Sequence, residues 1–170
     1  TLFRSDIKEW RKVLENCDSI PSCNYLLSMV DYYVAYKKEN SAINLSIVLY
    51  QDKETIGIMP LMAHQNQEEE WILSSNGIEI VEPIFKQTVA RKVKKRLENE
   101  LKDLIYDLAK QLKIKQCQFV NAEFFGLSSW YFMWAERAKE VFSTNHILVD
   151  LSLSLQDIRL KFRKSFKPFI

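Results

Sequence analysis

A mixed α/β fold, with a mainly antiparallel central sheet flanked by helices, is what this chain predicts. Two β-branched, largely apolar runs, 43–50 and 55–63, are separated by four polar residues and read as a hairpin. Val93, Leu97, Leu101, Leu104, Ile105, Leu108 and Leu112 recur with helical period, so 88–112 reads as one long helix. The chain has 170 residues, 47% hydrophobic and 12% aromatic, which is enough for one substantial core.

At the N-terminus, Ser5 is placed to cap a helix to about residue 16 that turns Ile7, Trp10, Val13 and Leu14 inward. Asn24 is placed to cap a second helix, over about 25–39. That helix carries Leu26, Leu27, Val30, Tyr33 and Val34 inward and ends in Lys37 and Lys38, cations that suit a helix C-terminus. After the hairpin, 64–70 is a polar loop and 71–74 a short strand, broken by Ser74-Ser75-Asn76-Gly77. Lys94 with Glu98 and Arg96 with Glu100 are four-apart pairs on the long helix. A strand over 116–121, a helix from Ser128 or Ser129 to about 140, and a strand over 146–151 come next.

Ser154 then caps a last helix, with Leu155, Ile158, Phe162, Phe166 and Phe169 as its apolar stripe. Arg159, Lys161, Arg163, Lys164 and Lys167 lie largely off that stripe. No Gly or Asn closes this helix, and Pro168 bends or ends it. The expectation is a junction, with the chain continuing into a second part of a longer parent protein and that second part covering some of the stripe.

Composition excludes several function classes. Only three glycines are present, too few for a glycine-rich nucleotide loop. A net charge of +2 gives no global field for nucleic acid, although charge is segregated. Lys86, Arg91, Lys92, Lys94, Lys95 and Arg96 form a run without an acid, whereas Glu68, Glu69, Glu70, Glu79 and Glu82 crowd the segment before it. That basic run is either a solvated helix face or a surface for a phosphate-rich ligand such as transfer RNA or a nucleotide-sugar. Cys17, Cys23 and Cys117 have no metal-ligand spacing and suit reduced thiols in a cytoplasmic protein. There is no run of about 20 apolar residues and no opening signal segment, which also points to a soluble protein. His64 and His146 stand alone in the sequence and read as structural, and no nucleophile or metal motif is present.

The order of elements resembles the acyl-CoA N-acyltransferase (GNAT) fold, and the ending resembles FemAB-type peptidoglycan transferases. Asp150-Leu151-Ser152 followed by Arg163-Lys164-Ser165-Phe166-Lys167 stands where that family passes from a first GNAT-like half to a second. The resemblance implies a GNAT-like domain over 1–153 and a basic connecting helix over 154–170. The parent it implies is an N-acyl- or aminoacyltransferase whose first half shapes the acceptor cleft. Acyl-CoA or aminoacyl-tRNA would be the donor, and a cell-wall precursor or another amine the acceptor. A second GNAT-like half would be the partner, and no cofactor would be held in this one. In catalytic relatives a glycine-containing loop before the long helix cradles the CoA diphosphate. Here residues 77–87 carry one glycine and two carboxylates, which suits that task poorly.

By position, the resemblance puts acceptor-binding residues at Lys37 and Tyr36, where Tyr32 and Tyr33 either line a cleft or pack on the sheet. A cation at a helix C-terminus, favoured by the dipole, is the first reading of Lys37. Arg159, Arg163 and Lys167, spaced four apart, form a cationic edge that either faces an anionic donor or acceptor, meets an acidic docking surface or is solvated. The alternatives to a transferase half are a non-catalytic GNAT-like binding or scaffold domain and a complete single-domain acetyltransferase with a divergent CoA site.

Overall fold

A computed structural model describes residues 4–17, 21–120, 128–136, 138, 154, 156 and 157. The chain divides into two compact units, Thr1–Ala138 and Lys139–Ile170. The first is mixed α/β, with two small antiparallel sheets and four helices among its described residues. Helices α1 (Arg4–Glu15) and α2 (Leu27–Tyr36) come first, then strands β1 (Ile43–Asn44), β2 (Ile47–Gln51), β3 (Glu54–Met59), β4 (Met62–Gln65), β5 (Trp71–Ser74) and β6 (Ile84–Phe85). Helices α3 (Arg91–Gln111) and α4 (Ser129–Ala135) complete the unit.

Each arm of the expected hairpin is broken in two, yet the register is the same on both sides of the break, shifting once further on, between Leu49 and Tyr50. Ile43 pairs with Ala63 and Asn44 with Met62, and after a gap Ile47 pairs with Met59 and Val48 with Ile58. The gap falls at Pro60, which has no N–H for the ladder. Ser46 fills it, its hydroxyl accepting from the Leu61 amide at 3.3 Å. One kinked hairpin therefore runs through both sheets. Strand β5 pairs with its β4 arm and β6 with its β3 arm, so the orders are β1-β4-β5 and β2-β3-β6 rather than a single central sheet. Between β5 and β6 the chain leaves the sheet edge, and loop 75–83 occupies that split.

Strand β3 is covered on both faces. Ile58 joins Trp10 and Val13 of α1 with Tyr25, Val81 and Ile84 in one core. Ile56 and Met59 join Leu97, Leu101 and Ile105 of α3 and the indoles of Trp130 and Trp134 in the other. Each such fully buried side chain contributes about 1.5–3 kcal/mol. Trp10 also donates to the Tyr25 carbonyl at 2.7 Å, and the Tyr25 hydroxyl donates to the Glu82 carbonyl at 2.8 Å. These bonds tether α1 to loop 75–83.

Several local expectations are corrected. Ser5 lies inside α1, and α2 starts after Leu26 without a side-chain cap, because 23–25 form a separate 3-10 turn that takes up Asn24. Only Val30 of α2 is buried, and Leu26 is exposed because it precedes the helix. Leu104 is 40% exposed, on the edge of the α3 stripe. His64 and Gln65 belong to β4, not to a loop. The strand expected over 116–121 is, among described residues, a parallel bridge of Phe119 to Ile80. Ser128 caps α4, accepting from the Tyr131 amide at 3.2 Å.

In the second unit only Ser154, Gln156 and Asp157 are described. The Ser154 hydroxyl accepts from the Asp157 amide at 3.2 Å and donates to its carboxylate at 2.6 Å, so the expected cap is formed. The strand over 146–151, His146 and the apolar stripe lie outside the described residues.

Candidate functional site

The end of α2, the end of β4 and the loop after β5 meet at one corner of the first unit. Helix α2 stops at Lys37, whose amide donates to the Tyr33 carbonyl at 3.0 Å. One 3-10 turn, Lys38–Asn40, comes next, and Ser41 reverses the chain at φ 57°. The Asn40 side-chain amide then donates to the Gln65 carbonyl at 2.9 Å, tying this turn to β4.

Lys37 runs over Gly77. A Cβ placed on Gly77 would sit 3.1 Å from the Lys37 Cε, and Gly77 holds φ +87°, a conformation natural only to glycine. The Lys37 ammonium lies 5.5 Å from the Tyr36 ring centroid, within cation–π range. The Tyr36 ring stacks on Tyr32 at 5.9 Å, and Tyr32 meets Tyr33 edge-on at 5.4 Å. Tyr36 is 67% exposed, so this aromatic step faces solvent.

His64 of β4 is 1% exposed, and its Nδ1 has no hydrogen-bond partner. Burial holds its pKa below the ordinary histidine value, and the nearby Lys37 ammonium lowers it further. At neutral pH the imidazole is uncharged. In the sequence His64 stands isolated, because 27 positions separate it from Lys37 and no local motif joins them. Only the hairpin brings β4 to the end of α2.

Most amides of loop 75–83 are already bonded within the protein. The Ser74 hydroxyl accepts from Gly77, the Asn76 side chain from Ile78 and Glu79, and the Ser75 hydroxyl from Val81. Ser75 donates its own amide to the Glu79 carbonyl at 2.6 Å, and Ile80 donates to the Gln118 carbonyl at 2.7 Å. The serines and asparagine that break the strand in sequence thus consume the N–H groups that an anion would need.

The basic run is engaged with other elements at its Lys86 and Lys94 positions, while Arg91, Lys92, Lys95 and Arg96 are exposed on α3. Lys86 pairs with Glu54 at 3.0 Å, Arg96 with Glu100 at 3.6 Å, and Lys94 lies 6.0 Å from the Phe85 ring centroid. Glu98 accepts from the Ser129 hydroxyl at 2.8 Å, which ties α3 to α4. Glu70 pairs with Lys115. Of the expected site residues, Lys37 and Tyr36 come together, while Arg159, Arg163 and Lys167 lie outside the described residues. Among the described residues no three His, Cys, Asp or Glu side chains are grouped to hold a metal, and no helix is long and apolar enough to cross a membrane. Cys17, Cys23 and Cys117 form no disulfide, and the Cys17 thiol donates to the Leu14 carbonyl at 3.3 Å.

No protein-family model matches this sequence, and comparisons with curated proteins and with solved structures likewise find no match.

Proposed function

We propose that this chain is the N-terminal, GNAT-like half of an acyl- or aminoacyltransferase of FemAB type, and that it shapes the acceptor cleft. The observation that carries this reading is the Lys37 side chain, laid across Gly77 beside the exposed Tyr36 ring. An ammonium fixed next to an aromatic face is suited to bind an anionic group and an adjoining ring or apolar surface. In the parent enzyme, such binding would hold an amine acceptor against an activated carbonyl, and positioning of this kind can supply much of the rate. Aminoacyl-tRNA or acyl-CoA is the proposed donor, a cell-wall precursor or other amine the acceptor, and a second half of the parent the place of the donor site. The engaged amides of loop 75–83 support the view that CoA is not held in this half.

The test is Lys37→Ala in the parent protein, assayed with labelled aminoacyl-tRNA and acyl-CoA donors against a panel of amines that includes cell-wall precursors. The expected result is a rise of at least tenfold in the acceptor KM with kcat changed less than threefold, partly restored by Lys37→Arg. Unchanged acceptor KM in Lys37→Ala overturns the assignment.

A second reading, a GNAT-like binding or scaffold domain without chemistry, is favoured by the same self-satisfied loop. A parent that transfers no acyl group from either donor class, while still binding an amine ligand through Lys37, selects it.

A further inference from the structure

The exposed start of α3 carries more positive charge than the fold accounts for. Arg91, Lys92, Lys95 and Arg96 are all exposed, and at spacings of one and four residues they share one side of the helix. The opposite side, Val93, Leu97 and Leu101, packs into the core. Four cationic heads thus stand on about 9 Å of helix axis, with no acid among them.

Among the described residues, Arg91, Lys92 and Lys95 form no ion pair, and Arg96 meets only Glu100, in an exposed and therefore weak pair at 3.6 Å. The glutamates that crowd the preceding segment are engaged elsewhere, Glu70 with Lys115 and Glu79 with the Gln118 side chain at 3.4 Å. The excess is also costly to the fold, because a helix start is the positive end of its dipole, and α3 has neither an acid in its first turn nor a side-chain cap at Ala90. A charge cluster that opposes folding calls for an anion from outside the chain.

We infer that this side of α3 docks on a membrane surface of anionic phospholipids, as a shallow electrostatic contact. Clustered Lys and Arg are what such a surface attracts, each strengthening binding about fivefold when held at the headgroups. Between Arg91 and Arg96 every exposed side chain is a cation, so none inserts among the acyl chains. The same composition disfavours a nucleic acid, since no exposed ring or amide stands there to stack on or read a base. Beyond Arg96 the exposed positions include Glu100, Asp103 and Asp107, which would repel a phosphate backbone running on along the helix. A bilayer can be met by the short cationic end alone. This inference does not rest on the acyl-transfer reading.

Co-sedimentation of the 170-residue chain with vesicles tests it, using phosphatidylcholine alone and phosphatidylcholine with about 30% phosphatidylglycerol. Binding to the mixed vesicles should be saturable, at least tenfold tighter than to the neutral ones, and lost at about 0.5 M salt. Arg91→Glu/Lys92→Glu should weaken it at least tenfold and at the same time raise the urea midpoint, because acids suit a helix start. Lys92→Gln/Lys95→Gln, which preserves helix propensity, should weaken it at least fivefold and keeps the test decisive if the charge reversal does not fold. Equal binding to both vesicle types overturns the proposal, as does undiminished binding by a folded variant, which would place the contact elsewhere. Tighter binding of oligouridylate than of the mixed vesicles overturns it in favour of a nucleic acid.

Discussion

His64 is buried and uncharged near a lysine, so its titration is linked to folding. Its folded pKa lies below the ordinary histidine value of 6.5, so the unfolded chain binds its proton more readily. Stability from this group is therefore complete above about pH 6.5 and declines as pH falls through 6.5 towards the folded value. Urea midpoints should drop between about pH 7.5 and 5.5, and His64→Gln should flatten that drop. Lys37→Ala removes the like charge, so the His64 resonance should titrate at higher pH, as proton–carbon NMR would show. An unmoved titration would mean that Lys37 exerts no field on His64. Gly57 gives a second test at this scale. A Cβ there would lie 2.8 Å from the Phe85 ring and 2.9 Å from the Ile84 carbonyl, so Gly57→Ala should destabilise by about 1–3 kcal/mol in denaturant titrations. None of this is visible in the sequence, since neither His64 nor Gly57 sits in a motif.

Elements are more legible than residues, because their signals are periodic or local. Trp10, Val13, Leu97, Leu101 and Ile105 are buried as their spacing predicts, and the register of the hairpin follows its two apolar runs. The start of α2 departs from its sequence signal: an Asn preceding an apolar run suits a cap, but the 3-10 turn at 23–25 competes for the same residues. The hairpin turn also carries a cost that composition does not reveal. Asp52 and Lys53 hold φ 49° and 70°, the two left-handed positions of a two-residue turn, where Asp-Gly is the preferred pair. Lys53→Gly should therefore stabilise the domain, by about 0.5–1 kcal/mol, with the gain read from the denaturant midpoint. Ser128→Ala should remove the α4 cap and cost about 1 kcal/mol by the same measurement.

For the molecule as a whole, loop 75–83 fills the split between the β4–β5 and β3–β6 pairings. Calorimetric titration with CoA should show no binding at this loop. Binding that is lost on Gly77→Ala would refute the idea that its amides are committed. Composition, period and turn chemistry, carried by the sequence alone, determined the α/β class, the hairpin, the α1 and α3 faces and the Ser128 and Ser154 caps. Each of these depends on residues a few positions apart. Tertiary structure alone decided that Pro60 divides the sheet, that a buried His64 feels the Lys37 charge while Lys37 crosses Gly77, and that Glu9, Thr55 and Lys86 share a groove. Those juxtapositions join residues tens of positions apart, and they exist only once the kinked hairpin has brought its neighbours together.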